Sequence, residues 1–283
     1  GDYRMQNPSW IAYRNLRLNQ KKRYMLSAQL SYDITDWLNI SGRVRVDNTH
    51  TKYEQKLYAS SNLTITEEST QGHYTISKPD ETQTYADVLA NINKRFNDFS
   101  LVANVGASIV NNRYEDLSYR GPIREKGIPN VFNVFDLDNT KKKARQDEWQ
   151  EQTQSVFASV EVGWKSMLYL TLTGRNDWAS QLANSSTPCF FYPSVGLSGV
   201  ISEMLTLPEF IDYMKVRGSF SSVGMPYPRN LTSPTYEYDE ANQQWKPKTH
   251  YPIKDLKPER TNSWELGLDM RLFKDFSLGF SWY

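Results

Sequence analysis

The sequence has 283 residues, 39% hydrophobic and 23% charged, and its net charge of +1 argues against nucleic acid as a partner, which would want a strongly basic face. No run of about 18 apolar residues occurs, which excludes a membrane-spanning helix; strands that cross in about 9–11 residues, half of them hidden from lipid, remain possible. Eighteen Tyr, twelve Phe and eight Trp are enough for aromatic girdles at two interfaces, and the single cysteine, Cys189, permits no internal disulfide.

Residues 1–23 read as polar and basic, with a turn and an anchoring aromatic at Asn7-Pro8-Ser9-Trp10. Strict alternation starts at Tyr24: Tyr24, Leu26, Ala28, Leu30 and Tyr32 share one face, and Ser27, Gln29, Ser31 and Asp33 the other. A tight turn at Thr35-Asp36-Trp37 leads into Leu38, Ile40, Gly42, Val44 and Val46 against Asn39, Ser41, Arg43, Arg45 and Asp47. A polar connection is predicted over roughly 48–82. The next hairpin carries Ala86, Val88, Ala90 and Ile92, turns at Asn97-Asp98, and returns through Leu101, Ala103, Val105, Ala107 and Ile109. The apolar parity switches there from even to odd, as a two-residue turn demands.

A second long connection is predicted over 111–151. Val156, Ala158, Val160, Val162 and Trp164 then run to a turn at Lys165-Ser166-Met167. The strand that follows is the most regular in the chain: Leu168, Leu170 and Leu172 oppose Tyr169, Thr171, Thr173 and Arg175. A loop at about 178–191 precedes Val195, Leu197, Gly199 and Ile201, and a connection at 202–215 leaves room for one helical turn in EMLTLPEF. Val216, Gly218 and Phe220 oppose Arg217, Ser219 and Ser221. After a Pro- and Tyr-rich loop at 224–260, the last hairpin carries Trp264, Leu266, Leu268, Met270 and Leu272, turns at Lys274-Asp275 and runs to Tyr283.

Two regularities decide the class. Short and long connections alternate along the whole chain, as they do in bacterial outer-membrane barrels. The short turns are also flanked by aromatics: RFNDFSL at 95–101, LFKDFSL at 272–278 and, more loosely, ITDWLNI at 34–40. Soluble sandwiches and propellers alternate too, but these strands approach 10 residues where 5–6 is usual. The fold class is therefore all-β: a transmembrane antiparallel up-and-down barrel segment of about ten strands.

Nothing in the sequence points to an enzyme. His50, His73 and His250 fall in predicted loops without ligand spacing or a paired base. Asp136-Leu137-Asp138-Asn139 is half of a calcium loop without its glycine and terminal glutamate, and Cys189 has no histidine partner. No metal site or cofactor is expected. Lys141-Lys142-Lys143-Ala144-Arg145 reads as a solvated loop. The polar-face charges Arg43, Arg45, Asp47, Asp87, Glu161, Arg175, Asp177, Arg217, Glu265, Asp269 and Arg271 would face a lumen. There they line a water-filled path, pair with a plug, or pair with one another across strands. Tyr119, Trp149, Trp178, Tyr236, Tyr238 and Trp245 are expected in loops, stacking on a substrate, meeting a partner, or packing on the loops themselves.

YLTLTGRNDW followed closely by YPSVGLS is similar to the barrel of SusC/RagA-type TonB-dependent outer-membrane transporters. So are NPSW, YDITDWLNISGRVRVDN, VRGSFSSVG and LKPERTNSWELGLDMRLF, in the family's order. The resemblance implies a 22-stranded barrel with an N-terminal plug in the bacterial outer membrane. It implies import of glycans or peptides, powered by TonB, with a SusD-like surface lipoprotein as lid. No plug or TonB box is recognisable ahead of Tyr24, so residues 1–283 are expected to be the middle and later part of the barrel domain. Two other readings of the residues remain: a surface glycan-binding or adhesion β-protein without active transport, and a soluble carbohydrate-binding module. A plug and TonB box upstream would separate the first from a transporter, and detergent dependence would separate the second.

Overall fold

The computed structural model describes residues 6–225, 228–231, 235–239, 242–247, 257 and 259–283. A short helix α1 (Pro8–Arg14) comes first, with the Asn7 side chain accepting from the Ser9 amide at 2.9 Å and Pro8 in the first turn. NPSW is thus a helix start, where the sequence suggested a turn. The strands follow as β1 (Asn15–Thr35), β2 (Leu38–Tyr58), β3 (Gly72–Ser77), β4 (Asp80–Phe96), β5 (Phe99–Pro122), β6 (Lys143–Trp164), β7 (Leu168–Ala179) and β8 (Cys189–Val200). After helix α2 (Ile201–Met204) come β9 (Ile211–Met225), β10 (Tyr236–Asp239), β11 (Gln244–Pro247), β12 (Glu259–Leu272) and β13 (Phe276–Trp282).

All but β10 and β11 form one sheet, antiparallel throughout and in sequence order, with β12 beside β9. The strands β3 and β4 share one row between β2 and β5, so the sheet has ten rows. Pro79, which has no amide hydrogen to give a ladder, sits at the break, and the chain is retied there by Thr51 N donating to Pro79 O at 2.9 Å. The strands β10 and β11 make a separate hairpin inside the last long connection.

The tight turns fall where the alternation put them. Left-handed backbone at Asn97, Lys165, Ser166, Phe273 and Lys274 closes them. They also bond sideways: Lys165 N donates to Asp98 O, and Phe273 N to Phe210 O.

The long connections are shorter than the sequence implied. The predicted loop over 48–82 is strand except for 59–71 and the break at Lys78-Pro79; 111–151 shrinks to 123–142; 178–191 shrinks to 180–188, part of it a single 3-10 turn. Within 224–260, residues 226–258 join β9 to β12. The helical turn expected in EMLTLPEF begins earlier, at Ile201.

The usual burial rule is inverted. On β7, Leu168, Leu170 and Leu172 are exposed while Thr171 and Thr173 are half-buried; on β12, Leu266 is 55% exposed and its neighbour Gly267 is buried. A sheet in water hides its apolar face. This one shows it, along a band that ends where uncharged polar side chains take over: Asn48, Thr82, Thr84, Asn111, Gln154, Asn176, Ser222 and Asn262 share the apolar residues' face by register. Asn48 Nδ2 bonds Thr82 Oγ1 at 2.7 Å, and Ser222 Oγ bonds Asn262 Oδ1 at 2.7 Å.

Candidate functional site: the polar wall and its rim

The polar face is a wall of paired side chains, some across strands and some along one strand. Arg43 lies directly opposite Asp87, with Nη2–Oδ2 at 2.6 Å, and both Arg43 and Arg45 rest on the Tyr85 ring. Arg45 reaches Gln83 Oε1 at 3.3 Å, and Asp47 is held by Arg23 at 2.5 Å. Arg175 bridges Asp177 at 2.7 Å and Ser155 Oγ at 2.8 Å with its guanidinium over Phe157. Arg217 joins Glu265 at 2.6 Å, Asp269 at 3.6 Å and Ser281 Oγ at 2.8 Å. Glu161 accepts from Thr171 at 3.4 Å, and Arg271 is exposed near the last tight turn. Arg43 with Asp87 and Arg217 with Glu265 and Asp269 pair across strands, and Arg175 with Asp177 along one strand.

The wall also contains a pattern that alternation does not reveal. Large side chains of this face lie flat over a glycine directly opposite them: Phe157 over Gly106, Tyr169 over Gly163 and Arg217 over Gly267. A Cβ on Gly267 would stand 2.7 Å from Arg217 Cγ. These glycines make room for wall side chains that would otherwise project from the sheet.

The six aromatics expected in loops are all in strands. Tyr119 and Trp178 fall, by unbroken register, on the same face as Leu101 and Leu172; Trp178 thus belongs with the exposed apolar band. Trp149 is on the polar face, stacked on Tyr114 at 5.4 Å, with the Arg229 guanidinium 3.8 Å from its ring centre and Arg229 paired to Glu151 at 3.1 Å. Tyr238 packs edge-on against Trp245 across the β10–β11 hairpin, where Tyr236 is 69% exposed.

Above the wall, 59–71 and 123–142 fold together into one rim unit. Ile123 and Leu137 bridge each other and are each 1% exposed. Ser69 Oγ donates to Ile123 O at 2.7 Å, Asn130 N to Gln71 O at 3.1 Å and Ala59 N to Asn130 Oδ1 at 2.7 Å. Phe132 packs on Tyr58 and Tyr74. In the same region the Tyr74 hydroxyl donates to Glu54 at 2.6 Å, which with Lys52 and Lys56 holds that carboxyl below its usual range despite burial. Trp10 of α1 reaches Ser61 Oγ at 3.0 Å. The 123–142 segment therefore buries part of its apolar content on neighbouring loops. Phe135 and Ile128 stay outside this packing, 87% and 71% exposed.

The remaining sequence candidates are local. Asp136 pairs with Arg124 at 2.7 Å, and hydrogen bonds from the Thr140 hydroxyl and amide hold the Asp138 carboxyl below its usual range. No cluster of metal-ligating groups occurs among the described residues. His50 faces Asp80 at 3.3 Å, and His73 faces Glu67 at 3.6 Å; burial pushes the His73 imidazole down despite that carboxylate. His250 lies outside the described residues. Cys189 begins β8 opposite Trp178, its thiol unbonded. The basic run divides: Lys141 reaches Glu67 O at 3.1 Å and Lys142 reaches Asn139 at 3.2 Å, whereas Lys143 and Arg145 are in β6.

The family model for "TonB dependent receptor-like, beta-barrel" matches residues 1–283. Among solved structures, the RagAB peptide transporter superposes with a TM-score of 0.80 at 15% identity, over 96% of this chain and 31% of that one. The RagAB peptide importer in its open-open state gives 0.78 at 15% identity, over 96% and 30%. The siderophore receptor PiuA from Acinetobacter baumannii gives 0.55 at 14% identity, over 94% and 40%. At these identities the likeness is one of fold, and the chain spans about a third of the length of the RagAB chains it matches. No curated protein matches the sequence.

Proposed function

This chain belongs to the TonB-dependent receptor-like β-barrel family, and from that premise we propose that it is a stretch of barrel wall in an outer-membrane importer. The observation that carries this reading is the inverted sheet: an exposed apolar band on one face and a polar, ion-paired wall on the other, as a water-filled barrel in lipid requires. The polar-face charges then face the lumen, and the tight turns face the periplasm. The solute is an oligomer, glycan or peptide, imported with energy from TonB acting on parts of the full protein outside this wall. In the full-length protein, gene deletion should abolish uptake of one labelled oligomer class, and collapse of the proton gradient should abolish it equally. Uptake that survives that collapse contradicts energised import.

The lid is a SusD-like surface lipoprotein resting on the rim unit, where Phe135 and Ile128 offer apolar contact that the chain itself leaves uncovered. Phe135→Ser with Ile128→Ser should leave barrel insertion intact, weaken co-purification of the lipoprotein and slow uptake. If co-purification and uptake are both unchanged, the lid docks elsewhere.

Sidedness has its own test. With Cys189 replaced, cysteines at Glu68 and Lys126, both exposed at the rim, should react with an impermeant thiol reagent on intact cells. A cysteine at Lys274 should react only after the outer membrane is opened. The reverse pattern would invert the topology.

A further inference from the structure

His73 sits at the root of both rim segments. On β3 it lies directly opposite Leu57, two residues before 59–71, and opposite Pro122, which leads straight into 123–142. Its neighbour Gly72 accepts the bond from Ile123 N. The imidazole is only 8% exposed: Nε2 is 3.6 Å from Glu67 Oε1, and the buried Nδ1 has no hydrogen-bond partner.

That geometry suits a neutral ring whose one proton is on Nε2, towards Glu67. A second proton would go to Nδ1, making a buried N–H without an acceptor and a charge without water. Two charged groups act directly on the ring: Glu67 favours its charged form, and Arg120, two residues before Pro122 on β5, opposes it. From β2 the ring meets Leu57, while Lys56 and Tyr58 turn to the other face by alternation. From 123–142, Lys141 holds Glu67 O at 3.1 Å and pairs with Glu68 at 3.7 Å. Burial outweighs Glu67, so the ring takes up a proton less readily than an ordinary histidine.

We propose that His73 is an acid-released latch: proton uptake by the ring opens its rung, and 59–71 and 123–142 come away from β3 together. Above about pH 6.5, the ordinary histidine value, the ring is neutral in the closed and the opened rim alike, and closure is at full strength. As pH falls below that, the opened rim takes up the proton first. Closure weakens until the closed rim is protonated as well.

The test is a set of spin-label distances in the purified full-length protein in detergent, from pH 7.5 to pH 5.0. In a Cys189→Ser background, Thr64→Cys or Lys126→Cys on the rim is paired with Leu117→Cys on β5, all three positions being exposed. One short distance should dominate at pH 7.5. Below about pH 6.5 a longer one should grow, its ratio to the short one rising by up to tenfold per pH unit, as uptake of one proton allows. Glu54 and Asp138, held below the usual carboxylate range, titrate beneath this window. His73→Gln and His73→Phe should each keep the short distance throughout, whereas His50→Gln should open with acid as the parent does. Distances unchanged at pH 5.0, acid opening that persists in His73→Gln, or a rim already open at pH 7.5 in both His73 variants overturns the latch. Because the measurement needs no energised uptake, the import reading survives its failure.

Discussion

Arginine at Leu172 should lower the stability of the barrel in a bilayer by about 2–4 kcal/mol, and arginine at Thr173 should cost far less. Leu172 is the third apolar residue in from the Lys165–Met167 turn, pairs with Val160 and Val195 on its two sides, and is 48% exposed on the apolar face. A guanidinium there has no acceptor within the sheet face and must draw water or headgroups into the band. Thr173, one residue on, turns to the polar face, where its hydroxyl bonds Ser194 Oγ at 2.8 Å. An arginine there loses one hydrogen bond but stays in water beside other ion pairs. Reversible folding of the full-length protein into lipid vesicles, followed by tryptophan fluorescence in denaturant, measures both. Equal costs would contradict the face assignment.

Valine at Gly72 should cost roughly 3 kcal/mol, concentrated in the rim and sparing the bilayer-spanning part of the sheet. Gly72 has φ +113°, a conformation that β-branched residues almost never adopt. A Cβ there would stand 2.6 Å from Leu57 O and 3.3 Å from Ala59 N, both backbone atoms that cannot swing aside. The same carbonyl that would be displaced, Gly72 O, accepts from Ile123 N and ties 123–142 to β3. Limited proteolysis of the variant should therefore open 59–71 and 123–142 while the heat-modifiable barrel persists on gels. Gly42→Val is the control: the nearest atom to its Cβ is Asp87 O at 3.8 Å, and it should leave the rim closed. Equal protease resistance of the Gly72 variant and the parent would remove Gly72 from this role.

The part of the fold that lipid touches was legible from side-chain alternation. Leu101 to Ile109 and Leu168 to Leu172 announce their strands because lipid on one side and water on the other force contrasting side chains at every step. The same strands continue without that contrast. Beyond Val46, β2 carries His50, Lys52, Glu54 and Lys56 on what had been its apolar face, and β6 carries Gln146, Glu148 and Gln150. Water on both faces removes the period while the backbone ladder runs on, so strand was read as loop. Tyr119 was misplaced for that reason. The meeting of Arg120 and Lys143 was hidden differently: the two are more than twenty positions apart in sequence, and only strand register shows that they are opposite.

The height of the wall has an electrostatic consequence. Strand β5 is 24 residues long, and the part beyond Ile109 rises roughly 30 Å above the lipid surface at ordinary barrel tilts. Ionic atmosphere at physiological salt extinguishes the field of a charged surface within about 8 Å. A solute arriving at the mouth is therefore shielded from the charges of the lipid headgroups by several screening lengths. The potential at the mouth is that of the rim side chains themselves, and a change in membrane lipid charge would leave it untouched.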